Sequence, residues 1–411
     1  MVSSENSTGI VIVGAGHAGV EAADALRRQG WHGAITLLDE QEDLPYQRPP
    51  LSKEGLISSD EALPLRAESH YAQAGIELRR GASVGAIDRL RREVVLSDGT
   101  RLPFGRLILA TGSEPARLPF AAQDNDVRIL RSLADAATLR TRLAGSQSVL
   151  IIGAGFIGLE IAGVARGMGA AVTVIGRGAQ VMPRSLSAAM ASVIADRHCS
   201  AGIDVRLDTE ALSVASLPDG STAVMLSDGS TIEVDTVVAG VGVAPRTRLA
   251  AEAGLHVEDG VIVSTELRTS DPHIFAIGDC AAIASASGRP MRLESVQNAT
   301  DQARHVAAVI TTGAGDYDEV PWFWSVQGGM RLQIAGVGGA DDRCVLVGDP
   351  AGRLSVLRFA EGALVCVESV NDAASHLAAR RLLASNTGLR VEDALEPDFT
   401  LRDRARTLVD R

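Results

Sequence analysis

Two glycine-rich segments are the residues of this 411-residue chain best suited to chemistry. Residues 14–19 and residues 153–158 both follow the pattern G-x-G-x-x-G. In this pattern the first glycine allows a tight turn, the second lets the backbone approach a pyrophosphate, and the third lets a helix pack close to a strand. A single copy could be a structural turn without a ligand. Two copies predict two bound dinucleotides.

Each glycine pattern lies where a buried strand is expected to meet a helix. Ile10–Val13 and Ser148–Ile152 are short apolar runs rich in β-branched residues, which is typical of parallel strands covered on both faces. A second strand is predicted in each copy, at Ile35–Leu38 and at Ala171–Ile175. This is the order of a Rossmann-type unit, in which the helix N-terminus offers unpaired N–H groups to the phosphates.

The two copies differ at the position that contacts a ribose. Asp39 and Glu40 follow the second strand of the first copy, and either carboxylate could bind a ribose hydroxyl. Gly176 and Arg177 stand at the corresponding place in the second copy. An acid there favours an unphosphorylated ribose, whereas an arginine can accommodate a 2′-phosphate. The second copy therefore leaves NADH and NADPH both open.

A proline-rich loop follows the first copy. Residues 44–53 read LPYQRPPLSK, and the three prolines exclude a regular helix or strand. We expect an ordered loop over the cofactor, in which Arg48 and Lys53 contact phosphate or flavin. The alternative is a solvated basic pair on a proline loop.

Two later strands also end in residues that could contact a cofactor. The strand at 106–110 leads into Ala110-Thr111-Gly112, and the strand at 274–277 leads into Gly278-Asp279. The Asp279 carboxylate could accept hydrogen bonds from a ribitol hydroxyl. A helix predicted from about Thr300 to Ile310 could point its N-terminal dipole at a flavin ring oxygen.

The second half of the chain repeats the organisation of the first. Hairpins with an Asp-Gly turn are predicted at 93–102 and 223–234, each followed by a buried strand that ends in glycine. We therefore predict an α/β protein with one nucleotide domain inserted in another and a small α+β domain at the C-terminus. The expected boundaries are 1–115 with 246–325 for the first domain, 116–245 for the second and 326–411 for the third.

The composition excludes several classes of protein. Hydrophobic residues make up 46% of the chain, and the formal net charge of −12 argues against a general nucleic-acid-binding protein. No apolar run approaches 18 residues, and no charged segment precedes an apolar one near the N-terminus. We expect a cytoplasmic protein without a membrane span.

The cysteines and histidines indicate no metal site. The four cysteines, at 199, 280, 344 and 366, form no C-x-x-C motif, so we expect buried apolar side chains rather than a redox disulfide. The eight histidines show no ligand spacing.

Several segments together resemble one known family, the FAD-dependent, NADH-using ferredoxin reductases of bacterial cytochrome P450 and Rieske oxygenase systems. The matching segments are GAGHAGVEAA (14–23), LPYQRPPLSK (44–53), LATGS (109–113), IGAGFIGLE (152–160), TSDPHIFAIGDC (269–280), RLESVQNATDQAR (292–304) and PWFWS (321–325). The resemblance implies a glutathione-reductase-like fold whose first nucleotide domain binds FAD and whose second binds NAD(P)H.

The resemblance also implies site residues for both cofactors. For FAD they are Gly14, Ala15, Gly16, Ala18, Gly19, Asp39 or Glu40, Arg48, Lys53, Val84, Ala110, Thr111, Gly112, Arg131, Asp279 and Val296. For NADH, with NADPH not excluded, they are Gly153, Gly155, Phe156, Ile157, Gly158 and Gly242, with Arg177 at the ribose position.

An ion pair between Lys53 and Glu160 is implied beside the flavin N5 edge, as the catalytic pair. Trp324, Arg66 and Arg304 are implied near a docking face for a [2Fe–2S] ferredoxin. The segment Trp322-Phe323-Trp324 could equally be interdomain core or an aromatic wall beside the flavin. Val326 follows this segment where relatives commonly carry Asp, which weakens the transfer of partner contacts.

The expected reaction is hydride transfer from nicotinamide to flavin, followed by single-electron transfer to the ferredoxin. The cofactors carry this chemistry, and the protein supplies position and electrostatics. Two alternatives remain: a signalling or binding flavoprotein similar to apoptosis-inducing factor, and a reductase that acts directly on a small oxidant.

Overall fold

The structure is a computed structural model, and it describes residues 9–58, 63–120, 127–284, 290–385 and 388–409. The chain groups into two compact units. We call them the N-terminal unit (Met1–Gln47, Ala62–Glu114 and Ala244–Glu319) and the C-terminal unit (Arg48–Glu61, Pro115–Val243 and Val320–Arg411).

The N-terminal unit is built on a parallel sheet that carries the first glycine turn. Its strands lie in the order Ile274–Ala276, Arg106–Leu109, Ile10–Val13, Ile35–Leu38 and Ile76–Arg79. All four residues of the central strand are buried, as expected for a sheet covered on both faces. The helices His17–Arg28 and Val296–Thr312 pack against each other and contribute to the same core.

Smaller elements complete the N-terminal unit. The predicted hairpin is confirmed, with Gly99 of the Asp-Gly turn at a φ of +87°. The remaining strands and helices are Val84–Asp88, Glu93–Leu96, Arg101–Pro103, Val257–Glu258, Gly260–Val263, Ala281–Ile283, Glu68–Gln73, Arg248–Glu252 and the short 3₁₀ turn Gly278–Cys280.

The C-terminal unit contains a second parallel sheet, which carries the second glycine turn. Its strands lie in the order Ile203–Arg206, Ala171–Ile175, Ser148–Ile152, Thr236–Ala239 and Val127–Arg128. Ser132 caps the helix Leu133–Gly145, because its Oγ accepts from the Asp135 amide. Such a cap typically stabilises a helix by about 1 kcal/mol.

The same unit holds further short elements around this sheet. These are Pro49–Ser52, Glu54–Ile57, Phe156–Gly167, Ala188–Ser200, and the antiparallel strands Ala211–Ser216, Thr222–Leu226 and Thr231–Val234. Two short strands, Ser113–Pro115 and Val243–Pro245, lie where the chain passes between the units in sequence.

An antiparallel sheet forms the last part of the C-terminal unit. Its strands lie in the order Trp322–Gln327, Met330–Gly336, Ala363–Val370, Leu354–Ala360 and Arg343–Gly348, and it is followed by the helices Ala373–Ser385, Val391–Ala394 and Leu401–Val409. The predicted boundary at residue 326 falls inside the first of these strands. We therefore move the proposed start of the third domain to about residue 320.

Three expectations need correction. The helix predicted from Thr300 begins at Val296, because the Ser295 hydroxyl accepts from the Asn298 amide and caps it. The buried strand after the second hairpin, expected to end in glycine, ends at Ala239. Of the four cysteines, Cys280 and Cys366 are buried, but Cys199 is exposed and Cys344 is half-buried.

Within the described parts of the chain, no helix is long and apolar enough to cross a membrane.

Candidate functional site

In the first glycine turn, the first and third glycines have no space for a side chain, whereas the second glycine has. A β-carbon on Gly14 would lie 2.2 Å from the Ala110 carbonyl oxygen, and one on Gly19 would lie 1.8 Å from the Gly14 carbonyl oxygen. At Gly16, by contrast, no described atom lies within 4 Å of the β-carbon position. The backbone therefore needs glycine at its first and third positions, and it leaves room for a phosphate at the second.

The second glycine turn repeats this geometry. A β-carbon on Gly153 would lie 2.3 Å from the Gly240 carbonyl oxygen, and one on Gly158 would lie 2.1 Å from the Gly153 carbonyl oxygen. At Gly155 the nearest described atom is that same Gly240 oxygen, at 3.7 Å. Both turns therefore fit the pyrophosphate of a dinucleotide at the start of a helix.

The two acids after the first turn are held differently. The Asp39 carboxylate accepts from the Gln41 amide at 3.2 Å. Glu40 forms a bidentate ion pair with Arg246, in which Arg246 Nη2 lies 2.9 Å from Glu40 Oε2. This hydrogen bonding raises the pKa of Arg246. Each acid stands beside the strand end next to the turn, so both stay candidates for the ribose contact.

The corresponding position in the second copy has no acid and little space. Gly176 is buried, and its β-carbon would lie 3.0 Å from Ala154 Cβ and 3.2 Å from Leu207 Cδ2. Arg177 is exposed. Arg184 lies beside Gly242, with Nη2 3.3 Å from the position of a β-carbon there. Sequence reasoning missed Arg184, which no motif marks.

The remaining N-terminal-unit candidates gather around the first turn. Thr111 Oγ1 donates to the Arg246 carbonyl at 2.8 Å, and Ser113 Oγ donates to Asp279 Oδ2 at 2.9 Å. A β-carbon on Gly278 would lie 3.1 Å from Ala18 Cβ, which places Asp279 near the start of the helix His17–Arg28.

Five further candidates take positions consistent with this arrangement. Ala15 and Ala110 are buried, and Gly112 has a φ of +69°. Val84 begins the strand Val84–Asp88, and Val296 is the first residue of its helix. Sequence reasoning missed Ser113, Arg246 and Gln302; Gln302 Oε1 accepts from the Gly278 amide at 2.7 Å.

In the C-terminal unit, the predicted ion pair between Lys53 and Glu160 is present. Lys53 Nζ lies 2.8 Å from Glu160 Oε2, and the Glu160 side chain is only 3% exposed. The Ser52 hydroxyl donates to the same oxygen, and Ser325 Oγ donates to Oε1 at 2.6 Å. The carboxylate is thus buried with a donor on each oxygen, which makes an ionised pair tenable away from water.

The aromatic residues of the segment Trp322-Phe323-Trp324 take different positions, and one of them contacts this ion pair. Lys53 Nζ lies 5.2 Å from the centroid of the Trp324 ring, a cation–π contact. Phe156 and Phe323 are 4.5 Å apart between ring centroids. Trp322, in contrast, contacts His376 and Arg380 and packs into the core of the last domain. The aromatic segment therefore serves both as core and as part of the wall of the ion pair.

Residues 48–53 of the proline loop belong to the C-terminal unit. Arg48 Nη1 donates to the Arg131 carbonyl at 2.8 Å, so these two candidates lie together. The loop forms the short helices Pro49–Ser52 and Glu54–Ile57, and Arg140 donates to the carbonyls of Gly55 and Ser58.

Two candidates for partner docking meet on the N-terminal unit. Arg66 Nε lies 2.7 Å from Asp24 Oδ2, and Arg304 Nε lies 2.8 Å from Glu21 Oε1. Arg66 also contacts Glu21, at 3.3 Å. The hydrogen bond that Arg304 donates to Glu21 raises the pKa of Arg304. The third candidate, Trp324, belongs to the C-terminal unit.

Comparison with known proteins agrees with this geometry. Residues 8–303 match the family described as pyridine nucleotide-disulphide oxidoreductase, and residues 322–405 match the family described as reductase C-terminal. The chain is 42% identical to rhodocoxin reductase of Rhodococcus erythropolis, over 96% of this chain and 93% of that protein. It is 38% identical to putidaredoxin reductase of Pseudomonas putida, over 88% of each chain.

Solved structures show the same similarity. The ferredoxin reductase for the CYP199A2 system from Rhodopseudomonas palustris superposes with a TM-score of 0.93 at 43% identity, covering 97% of this chain and 100% of that one. The reductase in a covalent putidaredoxin reductase–putidaredoxin complex superposes with a TM-score of 0.92 at 35% identity, covering 98% and 99%.

Proposed function

The chain belongs to the pyridine nucleotide-disulphide oxidoreductase family, and on this premise we propose that it delivers electrons from NAD(P)H to a [2Fe–2S] ferredoxin that feeds a cytochrome P450 or Rieske oxygenase. It is an oxidoreductase whose cofactors are FAD and NAD(P)H. When bound, FAD accepts a hydride from NAD(P)H and returns electrons singly, which joins a two-electron donor to a one-electron acceptor.

One observation carries this proposal: two glycine turns with the same backbone, each closed by a carbonyl at its first glycine and open at its second. We assign FAD to the first turn, because Thr111 and Asp279 gather around it in the N-terminal unit. NAD(P)H is assigned to the second turn, where Phe156 and the exposed Ile157 are the first two residues of the helix.

Lys53 and Glu160 are proposed as the catalytic pair. Glu160 is the fifth residue of the helix that begins at the second turn, so the pair lies one turn away from the proposed NAD(P)H phosphates. The buried carboxylate holds the Lys53 ammonium in one place. A fixed positive charge stabilises negative charge that develops during hydride transfer.

The finer coenzyme choice depends on Arg177. Residues 176 and 177, which directly follow the strand, are glycine and arginine, so neither of them repels a 2′-phosphate and Arg177 can attract one. The proposal is therefore that both NADH and NADPH are accepted.

Partner docking is proposed near Arg66, Arg304 and Trp324. The support comes from a relative: the putidaredoxin reductase structure is a covalent complex with putidaredoxin. Cytoplasmic location is also part of the proposal, supported by four cysteines that are all free thiols.

Anaerobic stopped-flow mixing tests the function. The purified flavoprotein should lose its visible flavin absorbance when mixed with NADH or NADPH, and it should then reduce a [2Fe–2S] ferredoxin. Flavin that neither coenzyme bleaches would refute the proposal. Rapid turnover with a small oxidant but none with any ferredoxin would replace the partner and keep the flavin chemistry.

A further inference from the structure

A line of buried polar side chains leads away from the Lys53–Glu160 pair. Ser325 Oγ donates to Glu160 Oε1 at 2.6 Å, and Gln327 Nε2 donates to Ser325 Oγ at 3.1 Å. Gln327 Oε1 lies 3.1 Å from His198 Nε2. We call Ser325, Gln327 and His198 the polar line. Each is no more than 1% exposed.

The charge of Glu160 dictates the direction of every hydrogen bond in the polar line. An ionised carboxylate only accepts hydrogen bonds, so the Ser325 hydroxyl must donate to it. The Ser325 oxygen then accepts from the Gln327 amide nitrogen, which turns the Gln327 carbonyl towards His198. His198 Nε2 must therefore carry the hydrogen. Burial lowers the pKa of His198, which keeps its ring neutral and consistent with this direction.

Three separate elements supply these groups. Glu160 lies on the helix Phe156–Gly167, His198 on the helix Ala188–Ser200, and the two middle residues on the strand Trp322–Gln327 of the last domain. Among the described side chains, Ser325 is the donor to Glu160 Oε1, whereas Lys53 and Ser52 both serve Oε2. The last domain thus holds one oxygen of the carboxylate, and the proline loop holds the other.

We propose that Ser325 and Gln327 are positioning residues for the Lys53–Glu160 pair, with His198 as the anchor of the line. They orient the Glu160 carboxylate so that the Lys53 ammonium stays fixed during electron transfer from NAD(P)H. This inference rests on the proposed function of the pair. It adds a role for the last domain, which contributes a polar contact to the site as well as apolar packing.

Replacing Ser325 by Ala removes the donor to Oε1 and, with it, the acceptor for the Gln327 side-chain amide, so it breaks the polar line at its link to Glu160. Anaerobic stopped-flow titration with NADH separates the limiting rate constant of flavin reduction from the dissociation constant of NADH. We expect the rate constant to fall about tenfold while the dissociation constant changes less than about twofold, since a hydrogen bond to a charged group is lost but the nucleotide turn is untouched. Ser325→Thr, which keeps the hydroxyl, should restore most of the rate.

Ser355→Ala is the matched control. Ser355 is also a buried serine of the last sheet, but its hydroxyl bonds to Ser369 Oγ at 2.9 Å and has no link to Glu160. This variant should reduce its flavin at the wild-type rate. Equal rate losses in Ser355→Ala and Ser325→Ala would mean a general effect on the sheet and would overturn the proposal.

Gln327→Glu provides a second test that keeps the size of the side chain. The introduced carboxylate would compete for the Ser325 hydroxyl hydrogen and repel the Glu160 charge, so the rate constant should again fall. If Ser325→Ala and Gln327→Glu both reduce flavin at the wild-type rate, the inference fails and the proposed function stands. If the wild-type flavin is not reduced by NADH or NADPH, the proposed function itself fails.

Discussion

The two nucleotide turns have the same backbone geometry, but the glutamates that follow them form ion pairs with different partners. Glu21 and Glu160 are each the fifth residue of the helix after their turn, and both are buried. Glu21 pairs with Arg28, Arg66 and Arg304, whose side chains are between 34% and 54% exposed. Glu160 pairs with Lys53, whose side chain is 13% exposed.

The difference shows how a duplicated unit can take two roles. The same helix position supplies a buried carboxylate twice, and other elements decide its use. In the first copy the partners come from the surface and are arginines that water can reach. In the second copy, Ser52 and Lys53 of the proline loop and Ser325 of the last domain contact the glutamate, and the lysine among them is mostly buried. We expect Glu21 to position arginines on the protein surface and Glu160 to position Lys53 for hydride transfer.

The largest expected effect separates the two turns themselves. Gly14→Ala would force a β-carbon onto the Ala110 carbonyl at a φ of +103°, and Gly153→Ala would do the same at the Gly240 carbonyl. We expect Gly14→Ala to be purified with less than about a tenth of the normal FAD, since the turn can no longer approach a pyrophosphate. Gly153→Ala should keep its FAD and raise the KM for NAD(P)H at least about tenfold.

The flavin-to-protein absorbance ratio and steady-state kinetics measure these outcomes. Gly315→Ala and Gly145→Ala are suitable controls, because no described atom lies within 4 Å of either β-carbon position. A reversed pattern, with FAD lost from Gly153→Ala and kept by Gly14→Ala, would exchange the two cofactor assignments.

The next effect compares the two glutamates. Glu160→Gln should lower the rate constant of flavin reduction at least about tenfold, because breaking a buried ion pair leaves the Lys53 ammonium without its counter-charge. Glu21→Gln should leave this rate constant within about twofold, since its three arginine partners are partly solvated and Lys53 is not among them. Stopped-flow spectroscopy of both variants gives the comparison. Equal rates in the two variants would remove the catalytic role of Glu160.

A smaller effect concerns the strand ends. Arg177→Glu should lower the ratio of kcat/KM for NADPH to that for NADH about tenfold, because an acid there repels a 2′-phosphate and can bind an unphosphorylated ribose. Arg381→Glu makes the same charge change at an exposed position on the helix Ala373–Ser385 and should leave the ratio unchanged. Identical kinetics of Arg177→Glu and wild type with both coenzymes would exclude Arg177 from the ribose site.

The smallest effect concerns the surface organised by Glu21. Arg304→Gln should raise the KM for a [2Fe–2S] ferredoxin about threefold at low salt, and the difference should shrink as salt is added, because exposed charges are screened. Flavin reduction by NADH should not change. Arg248→Gln, which removes an exposed arginine paired with Glu252, is the control. A KM for ferredoxin that is the same in all three proteins would move the docking surface elsewhere.

The sequence was sufficient for the features whose signal is local. The glycine spacing and the Asp-Gly hairpins each depend on residues a few positions apart, and the structure has both features. The α/β fold with two nucleotide sheets follows from the same local patterns.

What the sequence could not supply are contacts between distant elements. Ser325 and Glu160 are 165 positions apart, and no spacing rule joins them. The pairing of Glu40 with Arg246 is of the same kind, across 206 positions. The position of the strand Trp322–Gln327 could have been found, because Gly328-Gly329 between two apolar runs is a hairpin signal.

The place of the strand Trp322–Gln327 also orders events during synthesis. Residues up to 319 leave the ribosome first and include both glycine turns, Lys53 and Glu160. Ser325 reaches Glu160 only from a strand whose sheet neighbours extend to Val370. Until those strands pair, Glu160 Oε1 lacks the hydrogen bond from Ser325. A nascent chain can therefore form both glycine turns before Ser325 orients the Glu160 carboxylate, and we expect full-rate flavin reduction only after the strand Trp322–Gln327 has paired with its neighbours.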